Sequence, residues 1–427
     1  MRLLLRILWL AIDIVVAIPL MCAVLIAGLL GYLRYKAPTR GALLHLSGGS
    51  STSQILQKYG SFGKLFDTES PPTDGFTANL LFWFPSDSSH ALSFPTGWTV
   101  LEQSKVWGHL VLSAIALFLI RALLAIRRHG VVAIRAWDPG FSGPWGLLLS
   151  RLTHVPLAVS IHADYDKMAE ISGQRGTQAP LGSRVLARRV EAFVLKRANL
   201  VMPIRSHLVI KASRAGVDPA RLAVIPHGVD LDEVQNAQGG EALRQLEGRQ
   251  VLSFAGRLSR ENYVDDILAL TRLLADRPDV CVAMAGHGPE EARLRALQAA
   301  DPVLRRQLVF LGTLSQQDVF ALRRCSTLSL CLMGGFSLIE ACAAGRPVVA
   351  YAVDWHSEVV IDGETGYLVG EGDIDGLLTV VTRILDNPEL AERLGNGAHA
   401  LAVQRHSLEA ASAAKRTAYA RLLEKAA

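Results

Sequence analysis

The sequence predicts an α/β protein made of two doubly wound, parallel-sheet domains facing across a cleft, behind an N-terminal transmembrane helix. Three observations predict it. The apolar runs GVVAIRAWDP, VPLAVSIHADYD and NLVMPI follow one another at helix-separated intervals, and a second such series starts at about Val251. Strands alternating with helices build parallel sheets. Between the two series, VIPHGVDLDEV and the polar stretch 235–249 mark a join. Residues 14–33 carry no charged side chain, and at about 1.5 Å per residue such a helix crosses a hydrocarbon layer of roughly 30 Å. The expected organisation is an anchor over 1–36, a first Rossmann-like domain over 37–245, a second over 246–395 and a terminal helical segment over 396–427.

Composition narrows the function classes. The chain has 427 residues, 50% of them hydrophobic, enough for two or three buried cores. Its mean hydropathy of +0.27 is high for a soluble enzyme, and the N-terminal stretch supplies part of the excess. A cleaved signal peptide is the competing view of that stretch, but no small-x-small cleavage site follows it. Arg2 and Arg6 precede the span and Arg34, Lys36 and Arg40 follow it, so charge alone leaves the orientation open. The net charge of +5 points to an anionic partner. No nucleic-acid module is recognisable, and basic residues are not interleaved with aromatics. Membrane lipid fits better, because SRVLARRVEAFVLKRA (183–198) reads as a helix with Val185, Leu186, Val190, Phe193 and Val194 on one face and Arg184, Arg188 and Arg189 elsewhere. An ordinary sheet-covering helix with a solvated basic side is the alternative. The cysteines, Cys22, Cys281, Cys325, Cys331 and Cys342, form no CxxC pair and read as reduced core thiols rather than zinc ligands.

In the first domain, ALLHLSGG (42–49) reads as a strand closing on the glycine turn Gly48, Gly49, and NLLFWF as a strand among loops. Residues 107–126 form an apolar stretch interrupted by Arg121, expected as a buried or membrane-touching helix. The strand LAVSI ends on His162, followed by Asp164 and Asp166 in a DxD spelling, with Asp164 a candidate for acceptor or sugar contact and a metal site on the two carboxylates the alternative. Residues just past strand ends of open parallel sheets point into the binding crevice, so His162 is a candidate ligand contact or a structural histidine. Asp138, after GVVAIRAW, is a candidate for acceptor binding or for turn formation.

The second domain carries the denser signals. VLSFAGRLSRENYVDDILAL is an apolar strand, a turn with Gly256 and Arg257, then a helix, which sets a planar cation beside a helix N-terminus. VCVAMAGHGPEEARLR is another strand, with Gly286 and Gly288 before its helix. MGGFSLIEACAAGRPVVAYAVDWHSEVVIDGETG (333–366) begins with a glycine turn in which Gly334 and Gly335 allow close backbone approach. Ser337 is expected to cap a helix opening at about Leu338, with Glu340 in its first turn. There Glu340 either caps the helix or accepts hydrogen bonds from the vicinal hydroxyls of a ribose. The polar loop after the next strand, with Asp354, Trp355 and Glu358, is a further candidate for sugar or acceptor contact.

These residues resemble the retaining GT-B glycosyltransferases, in particular the large family 4. The likeness spans about residues 40–400 and is densest over 251–369. It implies two Rossmann-like domains with the terminal helix packing back on the first. It also implies a nucleotide-sugar donor held at Gly256, Arg257, Asn262, Gly286, Gly288, Gly335, Phe336, Ser337, Leu338 and Glu340. In that pattern Arg257 holds the diphosphate, Glu340 the ribose, and His162 the donor sugar, with no metal cofactor required. Two positions depart from it: the family's lysine falls on Asn262, and its first glutamate near Gly334, in a segment about two residues shorter than usual. The implied function is transfer of a sugar to a lipid-linked or cell-surface glycan acceptor at the cytoplasmic face of the inner membrane. A sugar-nucleotide epimerase and a catalytically silent membrane-tethered scaffold are the alternatives.

Overall fold

The computed structural model describes residues 15, 17–19, 21–22, 24, 26, 35–48, 76–84, 98–101, 111–163 and 183–425. The chain divides into two compact units, Met1–Ile225 with Ser412–Ala427, and Pro226–Ala411. The dividing point falls inside VIPHGVDLDEV.

The first unit is built on β1 (Gly41–Gly48), β2 (Phe76–Phe84), β3 (Trp98–Val100), β4 (Val131–Ala136), β5 (Leu157–Ile161) and β6 (Leu200–Pro203), all parallel, in the order β3-β2-β1-β4-β5-β6. Helices α1 (Val111–Arg128), α2 (Ser142–Thr153), α3 (Arg184–Arg197) and α4 (His207–Arg214) connect or follow these strands. Strand side chains alternate between two faces. Leu44, Leu46, Leu80, Phe82, Ile134 and Val159 enter a core shared with α1, α2 and α3. Leu43, Phe76, Val132, Ala158 and Leu200 enter a smaller core on the other face, closed by Ala418, Tyr419 and Leu422 of the last helix, α13 (Leu408–Glu424). Arg421 and Lys425 donate to the carbonyls of Leu222 and Ala220 and secure that helix to the same unit.

Two expectations for this unit concern membrane contact. Among the described residues no helix is long and apolar enough to cross a membrane. Most of the expected span over 14–33 lies outside the described residues. Of those described, Ala17 and Val24 are buried and Met21 packs on the first core, while Val15, Ile18 and Ile26 face outwards. The stretch at 107–126 is represented by α1, whose Phe118, Leu119, Ala122 and Ile126 are core residues. The second concerns α3. Its core-facing side is Glu191, Val194, Leu195 and the following Ala198, whereas Val185, Leu186 and Phe193 are exposed. Glu191 is buried because Lys211 pairs with it at 3.0 Å.

The second unit repeats the architecture with β7 (Gln250–Ala255), β8 (Val280–Ala285), β9 (Leu308–Gly312), β10 (Leu328–Leu330), β11 (Val348–Tyr351) and β12 (Gly366–Val369), in the order β12-β11-β10-β7-β8-β9. Its helices include α5 (Leu231–Gln235), α6 (Val264–Leu273), α7 (Glu291–Ala300), α8 (Pro302–Gln307), α9 (Gln316–Cys325), α10 (Phe336–Ala343), α11 (Ile374–Leu385) and α12 (Pro388–His406). From β7 the chain proceeds to β8 and β9 on one side, then returns to β10, β11 and β12 on the other. The switch point between β7 and β10 is where open α/β sheets bind ligands.

The ring of Tyr419 lies 5.2 Å from that of Phe76 in an edge-on contact and is buried. Tyr419→Ala should destabilise the first unit by about 3–5 kcal/mol, read as a lower urea midpoint. An unchanged midpoint would remove α13 from that core.

Candidate functional site

Four loops leave the carboxyl ends of the adjacent strands β11, β10, β7 and β8. The β7 loop carries Gly256 and Arg257, both exposed. Asn262 donates from Nδ2 to the Arg257 carbonyl at 2.7 Å, so its amide braces this loop. The next residue, Tyr263, opens α6 in the left-handed region at φ 54°, a conformation that costs a non-glycine residue of order 1–3 kcal/mol. Its hydroxyl donates to Glu371, and its ring stands edge-on to Tyr351, 5.0 Å away. Tyr351 in turn donates to Asp266 at 2.6 Å. Burial first, and these carboxylates second, raise both phenols above their ordinary range, so both remain donors.

The β8 loop is pressed against the β7 loop. A Cβ at Gly286, where φ is 134°, would stand 1.9 Å from the Gly256 carbonyl oxygen, and one at Gly288 would stand 2.2 Å from that of Leu258. Both glycines are therefore demanded by backbone packing that fixes the course of the Arg257 loop. Leu258 donates its N–H to the His287 carbonyl at 3.1 Å across the same contact.

The β10 loop makes the glycine turn. Gly334 N–H donates to Nε2 of His356 at 3.0 Å, and Nδ1 of His356 lies 2.8 Å from the Tyr351 carbonyl. Nε2 also lies 3.2 Å from the Gly334 carbonyl, so the buried ring meets both backbone groups of Gly334 on one side and the Tyr351 carbonyl on the other. Gly335 is exposed and has open space where a Cβ would stand. Helix α10 begins immediately after it, so its first N–H groups face the open side of the turn. Phe336 stands edge-on to His227, 5.4 Å away.

In the first unit, the strand centre holds a polar chain. Trp137 Nε1 donates to His45 Nδ1 at 3.1 Å, which leaves the His45 Nε2 proton for Asn79 Oδ1, also at 3.1 Å. His162, directly after β5, has its ring 6.4 Å from that of Trp137. Gly48 closes β1, while Gly49, Asp164 and Asp166 lie outside the described residues.

Family comparison agrees with the two-unit architecture. Residues 84–233 match the profile of Glycosyltransferase Family 4, and residues 241–400 that of Glycosyl transferases group 1. The chain belongs to the family 4, group 1 glycosyltransferases. A glycogen synthase of Mycobacterium tuberculosis is 26% identical over 77% of each chain. A phosphatidyl-myo-inositol mannosyltransferase of Mycolicibacterium smegmatis is 30% identical over 57% of this chain and 60% of its own. Among solved structures, Anabaena HepE in complex with UDP superposes with a TM-score of 0.66 at 18% identity, over 89% of this chain and 99% of that one. At that identity the likeness shows the fold.

Against the family pattern, the glycosyltransferase departs in the details that sequence reasoning placed by spacing. Gly335 occupies the cap of α10 without a side-chain bond, and Ser337 lies inside the helix rather than at its cap. Glu340 is accordingly the fifth helical residue, not a first-turn group. Its carboxylate turns inward: Oε1 accepts from Gln316 Nε2 at 2.8 Å, and Oε2 lies 3.6 Å from Nη2 of the buried Arg323. Nothing in the spacing around Arg323 signalled this; an arginine in RRC of α9 reads as a surface residue. Trp355 is also not a surface contact, since it lies in the second unit's core while Asp354 beside it is exposed. Glu358 is half-buried, and its carbonyl accepts from Arg405. Asp138 forms its turn: Oδ1 accepts from the N–H groups of Gly140, at 2.9 Å, and Phe141, and Oδ2 from the Ser142 hydroxyl at 2.8 Å. Those bonds engage both carboxylate oxygens in the turn.

His356→Ala should free Gly334 and cost about 1–3 kcal/mol from the stranded backbone N–H. The expected signature is a lower melting temperature together with weaker nucleotide binding. His356→Gln, which can still accept at that place, should recover part of both.

Proposed function

We propose that this glycosyltransferase transfers a sugar, with retention of anomeric configuration, from a nucleotide-sugar donor to a lipid-linked or cell-surface glycan acceptor. The observation that carries it is the concurrence, at the switch point of the second sheet, of the exposed Arg257, the glycine turn and the open N-terminus of α10. A leaving diphosphate needs donors aimed at its developing charge. Arg257 supplies a bidentate cation, and among the described residues its guanidinium has no partner. The N–H groups after Gly335 supply the rest, aided by the helix dipole. Asn262 stands where a second cation belongs, and its amide is engaged with the loop backbone, so the clamp leans on Arg257 and the turn. No metal is assigned to this reaction.

Glu340 is proposed to meet the ribose hydroxyls, with Arg323 and Gln316 fixing its rotamer. Asp354 and Glu358 are proposed to supply the polar contacts that Gly334 lacks. The relatives' names favour a saccharide or phosphoinositide-type acceptor. A working place on the cytoplasmic side of the inner membrane, through the apolar 14–33 segment, belongs to the same proposal. His162 is proposed for the sugar; His162→Ala should keep its melting temperature and lose transfer.

Arg257→Ala should weaken nucleoside-diphosphate binding roughly tenfold to a hundredfold, measured by titration calorimetry. Glu340→Ala is a poor test by itself, because it strands the buried Arg323 and would cost about 3–5 kcal/mol of stability; Glu340→Gln keeps the packing and the Gln316 contact and should weaken binding at a smaller loss of melting temperature. Incubation of a panel of nucleotide sugars with membrane lipid extracts should yield a glycosylated product whose anomer, read by NMR, matches the donor. An inverted anomer, or no product where a control transferase succeeds, would overturn the proposal.

A further inference from the structure

A groove of 610 Å³ runs between α2 and α3 on the first unit, lined by Pro144, Leu147, Leu148, Val190, Phe193 and Val194 with Arg151, Arg189 and Arg197 at its polar positions. Its volume lies within the range of about 300–1,000 Å³ found for ligand sites. The three arginines are exposed. Arg197 is held at the edge by its own turn: its guanidinium lies 3.7 Å from the Phe193 ring centroid and donates to the Phe193 carbonyl at 3.2 Å. Phe193 is 52% exposed, and Val185 and Leu186 on the same helix are 59% and 37% exposed.

The charge on α3 is one-sided for a structural reason. Its single acidic residue, Glu191, is turned inward onto Lys211. Arg184, Arg188, Arg189, Lys196 and Arg197 are all exposed. A solvated basic helix would show polar residues between its cations, whereas this one shows Val185, Leu186 and Phe193. Apolar surface beside arginine, with an apolar floor behind it, is complementary to one occupant: an amphiphile with an anionic head.

We infer that the α2–α3 groove binds an anionic phospholipid of the membrane surface, with an acyl chain along Leu147, Leu148, Val190 and Val194 and the phosphate on Arg151, Arg189 and Arg197. The arginine fork matches phosphate oxygens bidentately. The site goes beyond the transfer reaction, because it requires neither donor nor acceptor. It gives the enzyme a surface contact that would hold the first unit against anionic bilayers in addition to any N-terminal anchor.

The full chain in vesicles would be probed with phosphatidylglycerol and phosphatidylcholine, each bearing a photoreactive acyl chain, and the adducts mapped by mass spectrometry without nucleotide sugar present. The phosphatidylglycerol probe should label peptides of α2 and α3 in preference to the phosphatidylcholine probe. Arg151→Ala with Arg189→Ala should reduce that labelling roughly 25-fold, at about fivefold per arginine. Val190→Trp, which fills the floor and leaves the charges in place, should also lower it. Both arginines are exposed, so an unchanged melting temperature accompanies the first variant. Equal labelling by the two probes, adducts confined to other segments, or labelling indifferent to both variants would overturn the inference. Because the readout is independent of sugar transfer, loss of transfer with labelling intact would count against the proposed reaction alone.

Discussion

One imidazole holds the ligand end of the second sheet together. His356 accepts from the Gly334 N–H and its other ring nitrogen meets the Tyr351 carbonyl, and so it ties the β10 turn to the end of β11. The turn has no side chains with which to fix itself, and its backbone needs must be met from elsewhere. Once Gly334 is pinned, Gly335 falls at the start of α10 and the helix's unbonded N–H groups point to the open side of the turn. The start of α10 in turn sets which way Glu340 faces. A histidine suits this task because its two ring nitrogens, on opposite sides of a rigid ring, each meet a backbone group.

A second constraint is the pressing together of the β7 and β8 loops. Gly286 and Gly288 leave no room for a Cβ because the neighbouring backbone fills it. Glycines after parallel strands are read from sequence as ligand-facing, and here part of their requirement is internal. The distinction matters for Arg257, whose loop is braced from one side by Gly286 and Gly288 and from the other by Asn262 and Tyr263. A lysine at Asn262 would supply a cation and lose that brace.

Buried charge follows the same economy in both units. Arg323 and Glu340 share an interior that neither could occupy alone, since a single charge there would be stranded at a cost of several kcal/mol. Glu191 and Lys211 do likewise under α3. In the first case the pairing fixes the rotamer of a candidate ligand residue. In the second it strips the exposed side of α3 of its only acid and leaves a basic, partly apolar surface over the groove.

The sequence by itself determined the alternation of strands and helices, hence two parallel sheets, and the order of the loops that could carry a ligand. Period and turn chemistry are local, so GVVAIRAW, LAVSI and VLSFAG were legible as strands and Gly256 with Arg257 as a turn. What the tertiary structure alone decided was direction. Whether Val185 and Phe193 face the core or water depends on where Glu191 finds its cation, 20 residues further on at Lys211. Whether Glu340 meets solvent or Arg323 depends on α9 packing beside α10, and whether Trp355 is surface or core depends on what covers β11. Spacing along a helix or strand gives the relative angle of side chains, and only the partner that packs against it gives the absolute one.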